Sequence, residues 1–170
     1  PSPLDMLQGL GRFRRGDLIH RLLQLLPDVE PADRRAAAAR LLDREPDLTL
    51  VQRAEMTTAA FGVLEDPVFA DVFGPGSRAE AAIAGTSPRL PAGLGVSGRV
   101  DRLLVLPDRV LVVDYKTNRP APARIEDSDP AYVLQLAAYA AVLPAPYPDR
   151  ALQPPSVWTA LSRSPALMSM

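Results

Sequence analysis

The chain has no cysteine, which excludes disulfides, zinc–thiolate sites and iron–sulfur clusters. It has one histidine, His20, and among nineteen lysines and arginines a single lysine, Lys116. Aromatics make up only 5%, so a core has to be built mainly from Leu, Val and Ala. The net charge of −1 offers no global basic field to a polyanion, and any nucleic-acid contact must be local. No apolar run approaches the roughly 20 residues of a membrane helix, and no signal-peptide pattern opens the chain. A cytoplasmic protein without a membrane partner is the default expectation. There is no G-x-x-x-x-G-K-[ST] loop, and so no ATP site of that kind. The first residues, PSPLD, carry no methionine, which suggests a piece processed or excised from something larger.

What is present suits one domain: 170 residues, 47% of them apolar, are enough for a real core. Residues 1–16 read as a linker, and 17–170 as a single domain with a helical part (17–73), a sheet-containing core (74–162) and a tail (163–170). "DLIHRLLQLLP" (17–27) reads as an amphipathic helix capped by Asp17 and stopped by Pro27. Leu18, Ile19, Leu22, Leu23, Leu25 and Leu26 form its apolar stripe, with His20 and Gln24 opposite. Further helices are expected over 31–45 and about 47–64, with a short helical turn over 65–73. Strands are expected over 78–85, 94–106 and 109–117. A helix over 129–143, with Asp129 at its cap and Pro130 in its first turn, is followed by a proline-rich connection (144–155) and a last strand (156–162). This order describes an α/β domain with a helical N-terminal portion.

The two β-rich runs on either side of Pro107-Asp108 form a hairpin. Proline cannot adopt positive φ, so a slightly longer symmetric loop is expected rather than a type I′ turn. Any symmetric loop keeps one register: with Leu106 opposite Arg109, Asp101 falls opposite Asp114. Lys116 shares their face. Directly opposed Cβ atoms lie roughly 4.5–5.5 Å apart, and two close carboxylates need a proton, a cation or a metal between them. Mg²⁺ or Mn²⁺ suits such oxygen ligands. The alternatives are a buried Asp–Lys–Asp salt-bridge cluster, or a slipped register. In a chain that otherwise uses arginine, one lysine fits a role a guanidinium cannot take: its pKa falls beside a dication, so it can orient or deprotonate a water.

"GRVDRL", "VVDYKTNR" and "YVLQLAAYA", in this order, resemble the RecB-like branch of the PD-(D/E)XK nuclease superfamily. They are most similar to the C-terminal nuclease domains of AddA-type subunits of bacterial AddAB helicase–nucleases. "RGDLIHRLLQLLP" is similar to that family's histidine motif, and "SRAEAAIAG" to its first acidic strand. The resemblance implies a restriction-endonuclease-like core, a mixed sheet flanked by helices. It implies a Mg²⁺-dependent deoxyribonuclease, expected to be an exonuclease, acting in double-strand-break repair and recombination. Its partners would be a DNA strand fed by the helicase motor, the rest of the helicase chain and an AddB-like subunit. The absent iron–sulfur cysteines fit AddA rather than AddB.

Carried over by the resemblance, His20, Asp101 and Asp114 are side-chain metal ligands, the Tyr115 carbonyl is a further ligand, and Lys116 is the catalytic lysine. Glu80 matches a supporting acid, or is an ordinary strand-edge glutamate. Gln135 and Tyr139 support the site or face DNA, or else pack their helix on the sheet. Arg99, Arg102, Arg119 and Arg124 are candidate phosphate contacts, or solvated surface charges. A catalytically silent DNA-binding or docking module is the rival function, and a purely structural adaptor the third.

Overall fold

Arg14 and Arg15, in a stretch whose glycines and arginines read as a linker, are drawn into a helix by distant acids. In the computed structural model, which describes residues 12–115 and 129–153, helix α1 spans Arg12–Leu25. Asp17 therefore lies inside α1 and does not cap it. Gly16 costs about 1 kcal/mol relative to alanine inside a helix. Tertiary ion pairs offset that cost: Arg14 meets Glu45 at 2.6 Å and Asp47 at 3.4 Å, and Arg15 holds Glu55 with both arms of its guanidinium. Leu18, Ile19, Leu22, Leu23 and Leu26 are buried as the periodicity requires, whereas Leu25 is 43% exposed. His20 and Gln24 are half-buried.

Helices α2 (Arg34–Asp43) and α3 (Leu50–Leu64) complete the helical unit. A 3₁₀ turn over Pro31–Asp33 leads into α2, and Arg34 donates to the carbonyls of Val29 and Pro27 just before it. The start of α3 is set by a capping box. The Gln52 amide donates to Thr49 Oγ1, and the Thr49 amide to Gln52 Oε1, which satisfies two donors that a helix start leaves open. Residues 65–73 form two 3₁₀ turns, Pro67–Phe69 and Asp71–Phe73. Residues 12–73 are one of two compact units in the described chain; residues 74–115 with 129–153 are the other.

The second unit is a four-stranded mixed sheet in the order β1-β2-β3-β4, with β1 at Ser77–Thr86, β2 at Gly95–Val105, β3 at Arg109–Val113 and β4 at Ala151–Gln153. The first three strands are antiparallel; β4 runs parallel to β3. A parallel neighbour requires a crossover, and helix α4, Pro130–Val142, lies in that connection. Its start is as expected, with Asp129 Oδ1 accepting from the Ala131 amide at 2.8 Å and Pro130 in the first turn. β4 corrects one expectation: it occupies part of the stretch read as a proline-rich connection. The strand expected over 156–162 lies outside the described residues.

The core of this unit joins Ile83, Val100, Leu103, Val110 and Val112 of the sheet to Tyr139, Val142 and Leu143 from the end of α4. One contact decides how close the helix comes. A Cβ on Gly98 would collide with the Tyr139 hydroxyl and lie 2.9 Å from Cζ; only glycine leaves the ring its seat on β2. Gly98→Ala is expected to cost about 1–3 kcal/mol through overpacking. Urea denaturation measures this, and Tyr139→Phe in the same chain should recover part of the loss.

Candidate active site

The site begins with the hairpin. Arg102 pairs with Val113, Leu103 with Val112, Leu104 with Leu111 and Val105 with Val110. The Leu106 amide donates to the Arg109 carbonyl at 2.9 Å and closes the turn directly over Pro107-Asp108. The loop is shorter than expected, but the register is the symmetric one. Continued by one rung, it sets Asp101 opposite Asp114.

Regular pairing ends at that rung. β3 stops at Val113, and the next amide, that of Tyr115, donates to Asp101 Oδ2 at 2.5 Å. A carboxylate thus takes a donor that the ladder would otherwise use, in a charge-assisted hydrogen bond. The β1–β2 ladder is also interrupted there. Ala79 pairs with Arg102 and Ala81 with Val100, but Glu80, the residue across from Asp101, is unmatched in the ladder. Glu80 has φ of +51°, a left-handed conformation that costs an L-residue roughly 1–2 kcal/mol. Its carboxylate lies 3.4 Å from Arg99, an exposed pair of little energetic weight. Asp101 is therefore flanked on both neighbouring strands by acids, and on both sides the regular ladder yields.

Tyr132, in the first turn of α4, completes the polar cluster. Burial first, then the charges of the nearby Asp114 and Asp101, push the pKa of its hydroxyl well above the ordinary 10.0. The phenol therefore stays protonated beside Asp114. Tyr115 is raised as well, first by burial and then by Asp101, while the charge of Arg102 pulls the other way. That both aspartates act on the one hydroxyl of Tyr132 shows that the two acids and this phenol share a single locale. Tyr132 is not among the site residues that the sequence suggests. Its signal is the buried spacing Tyr132, Leu136, Tyr139.

The other expected residues divide. Arg102 is corrected: it is 2% exposed and donates to Ser77 Oγ at 2.9 Å, so it offers no surface contact to phosphate. Arg99 is exposed. Tyr139 lies in the helix–sheet seam, where its hydroxyl accepts from Gln135 Nε2 at 2.9 Å and donates to the Arg99 carbonyl at 3.4 Å. That geometry is the packing arrangement. His20 belongs to the helical unit. Lys116, Arg119 and Arg124 lie outside the described residues. Among the described residues no three of His, Asp and Glu are gathered as a metal cluster. The aspartate pair alone still fits a hard cation, since Mg²⁺ commonly binds through one or two carboxylates and keeps several waters.

A mixed sheet that carries a helix on one face and opposes two carboxylates at a hairpin end defines the restriction-endonuclease-like class of fold. The family model of the PD-(D/E)XK nuclease superfamily matches residues 6–161, and the chain belongs to that superfamily. No curated protein and no solved structure matches it. Membership implies a metal-dependent nuclease as the functional class.

Two outcomes are expected from this geometry. Above pH 10.0 the unfolded chain releases phenolic protons that the fold retains on Tyr115 and Tyr132, so the folded state binds more protons and stability falls as pH rises. Phenolate absorbance should show these two groups titrating only as the protein unfolds, and Tyr132→Phe should remove one late phenol. Ordinary reversible titration of both would contradict the assignment. At the strained position, Glu80→Gly should leave stability within about 1 kcal/mol of wild type, while Glu80→Val should cost about 2 kcal/mol more, read by thermal unfolding.

Proposed function

We propose that this chain is a Mg²⁺-dependent DNA nuclease domain, exonucleolytic, belonging to an AddA-type helicase–nuclease of bacterial double-strand-break repair. The single observation that carries the reading is the hairpin register, which continued by one rung sets Asp101 opposite Asp114, with the Asp-x-Lys sequence running on from it. Superfamily membership supports the nuclease class. The narrower assignment rests on the order of motifs in the sequence: a histidine helix, an acidic strand, the hairpin acids, then Gln135 and Tyr139. On the same basis the DNA strand would be delivered by the rest of the helicase chain, an AddB-like subunit would be the partner, and the work would be done in the cytoplasm.

Asp101 and Asp114 would hold the cation, with the Tyr115 amide fixing one oxygen of Asp101 and the neutral phenol of Tyr132 beside Asp114. His20 and the Tyr115 carbonyl enter as further ligands on the sequence pattern alone. A divalent ion bound there supplies Lewis-acid polarisation of the phosphodiester and a more acidic water. Lys116 would position that water and neutralise charge on a phosphoryl oxygen, a role suited to a compact ammonium. Glu80 would support the site from the neighbouring strand.

Titration with Mn²⁺ or Mg²⁺ tests the reading. At a hundredfold excess over Kd, stabilisation of about 2.7 kcal/mol is expected, and it should vanish in Asp114→Ala. With single-stranded DNA, Lys116→Ala should cut about 10²-fold or more slowly than wild type while still binding metal. Binding without cleavage by both proteins would favour the silent DNA-binding module; neither binding nor metal stabilisation would leave a structural adaptor.

A further inference from the structure

The helical unit sorts its arginines into two sets. Arg14, Arg15, Arg34, Arg35 and Arg53 are all engaged: with Glu45 and Asp47, with Glu55, with backbone carbonyls, with Glu65, and with Asp43. Three others, Arg21, Arg40 and Arg44, have no side-chain ion pair or hydrogen bond among the described residues. All three are exposed, and all three line one groove between α1 and α2. The groove's one acid, Glu45, is already neutralised by Arg14 at 2.6 Å. Its floor is aliphatic, from Leu25, Leu26, Val29 and Leu41; Leu25, 43% exposed, is the apolar position of α1 that the helical packing leaves open.

Cations at the C-terminal end of a helix complement its dipole, which accounts for the sign of Arg40 and Arg44. It accounts neither for Arg21 on the other helix nor for an open apolar floor beneath all three. Unneutralised guanidinium groups around an apolar floor match a ligand that carries regular negative charge and also has apolar faces to bury. A single nucleic-acid strand has both, because its bases are unpaired and their faces available; a duplex hides them. We propose that the groove between α1 and α2 is a binding track for single-stranded DNA, with Arg21, Arg40 and Arg44 on its phosphates and Leu25 and Leu41 under its bases. This rests on the nuclease reading for the identity of the polymer, but uses none of the residues of the aspartate site.

The test measures binding of a labelled single strand to the full chain carrying Asp114→Asn, so that the strand is not consumed, across a salt series. Replacing Arg21, Arg40 and Arg44 together by alanine should weaken binding at least tenfold and flatten the slope of log K against log salt by about 2, since each phosphate contact to a single strand contributes about 0.7. Lysine at the same three positions should keep the slope. The single variants Arg21→Ala and Arg44→Ala should each lower it by about 0.7, which guards against a triple variant that folds poorly. A triple variant that binds like its parent overturns the groove and leaves the nuclease reading standing. Equal weakening for a duplex overturns the single-strand assignment. A parent that binds no strand overturns the groove, and cleavage by the wild type then decides separately whether the nuclease reading survives.

Discussion

Two carboxylates held on one rung of a hairpin are the constraint around which the sheet unit is arranged. Like charges facing each other across a ladder destabilise it, yet the pairing of Arg102 with Val113 and its continuation leave Asp101 and Asp114 no other place. The structure meets the cost with donors and with broken regularity. Asp101 receives the Tyr115 amide, the neutral phenol of Tyr132 lies beside Asp114, and β1 turns Glu80 into a left-handed conformation instead of completing the rung. A rung built for stability alone would carry apolar residues, as Leu103–Val112 and Leu104–Leu111 do two and three rungs further on. Retained repulsion of this kind is what a cation site requires.

The position of α4 follows from the same demand. Tyr132 reaches Asp114 only if the helix lies close on the sheet, and closeness is set further along by Tyr139 resting where Gly98 has no side chain. Asp129 and Pro130 define the helix start, so that Tyr132 falls in its first turn. Gly98, Tyr139 and Tyr132 thus form one chain of placement leading to the acid, and Gln135 secures the middle of it through its bond to the Tyr139 hydroxyl.

Arginine serves the helical unit in a different way. The guanidinium is planar and offers several donors, so Arg15 can grip both oxygens of Glu55 and Arg34 can serve two carbonyls at once. These contacts join segments distant in sequence, and they explain why a stretch containing Gly16 is helical. The arginines that do none of this gather on one groove.

Elements with a local signal were legible from the sequence. The leucine stripe of α1, the Asp129-Pro130 start of α4 and the hairpin register each follow from spacing a few residues long. The register carried the most: once a symmetric turn at Pro107-Asp108 is accepted, period-two alternation alone sets Asp101 against Asp114. Local signals misled where distant groups intervene. The start of α1 moved five residues because Glu45, Asp47 and Glu55 capture Arg14 and Arg15. Thr49 and Gln52 carry a local capping-box signature that marks the start of α3. Arg102 has the sequence context of a surface cation, yet it is buried against Ser77, twenty-five residues earlier. Neither the left-handed turn at Glu80 nor the placing of Tyr132 beside Asp114 has any mark in the sequence. Both arise where separate elements meet, and the energy that decides them exists only once the chain has folded.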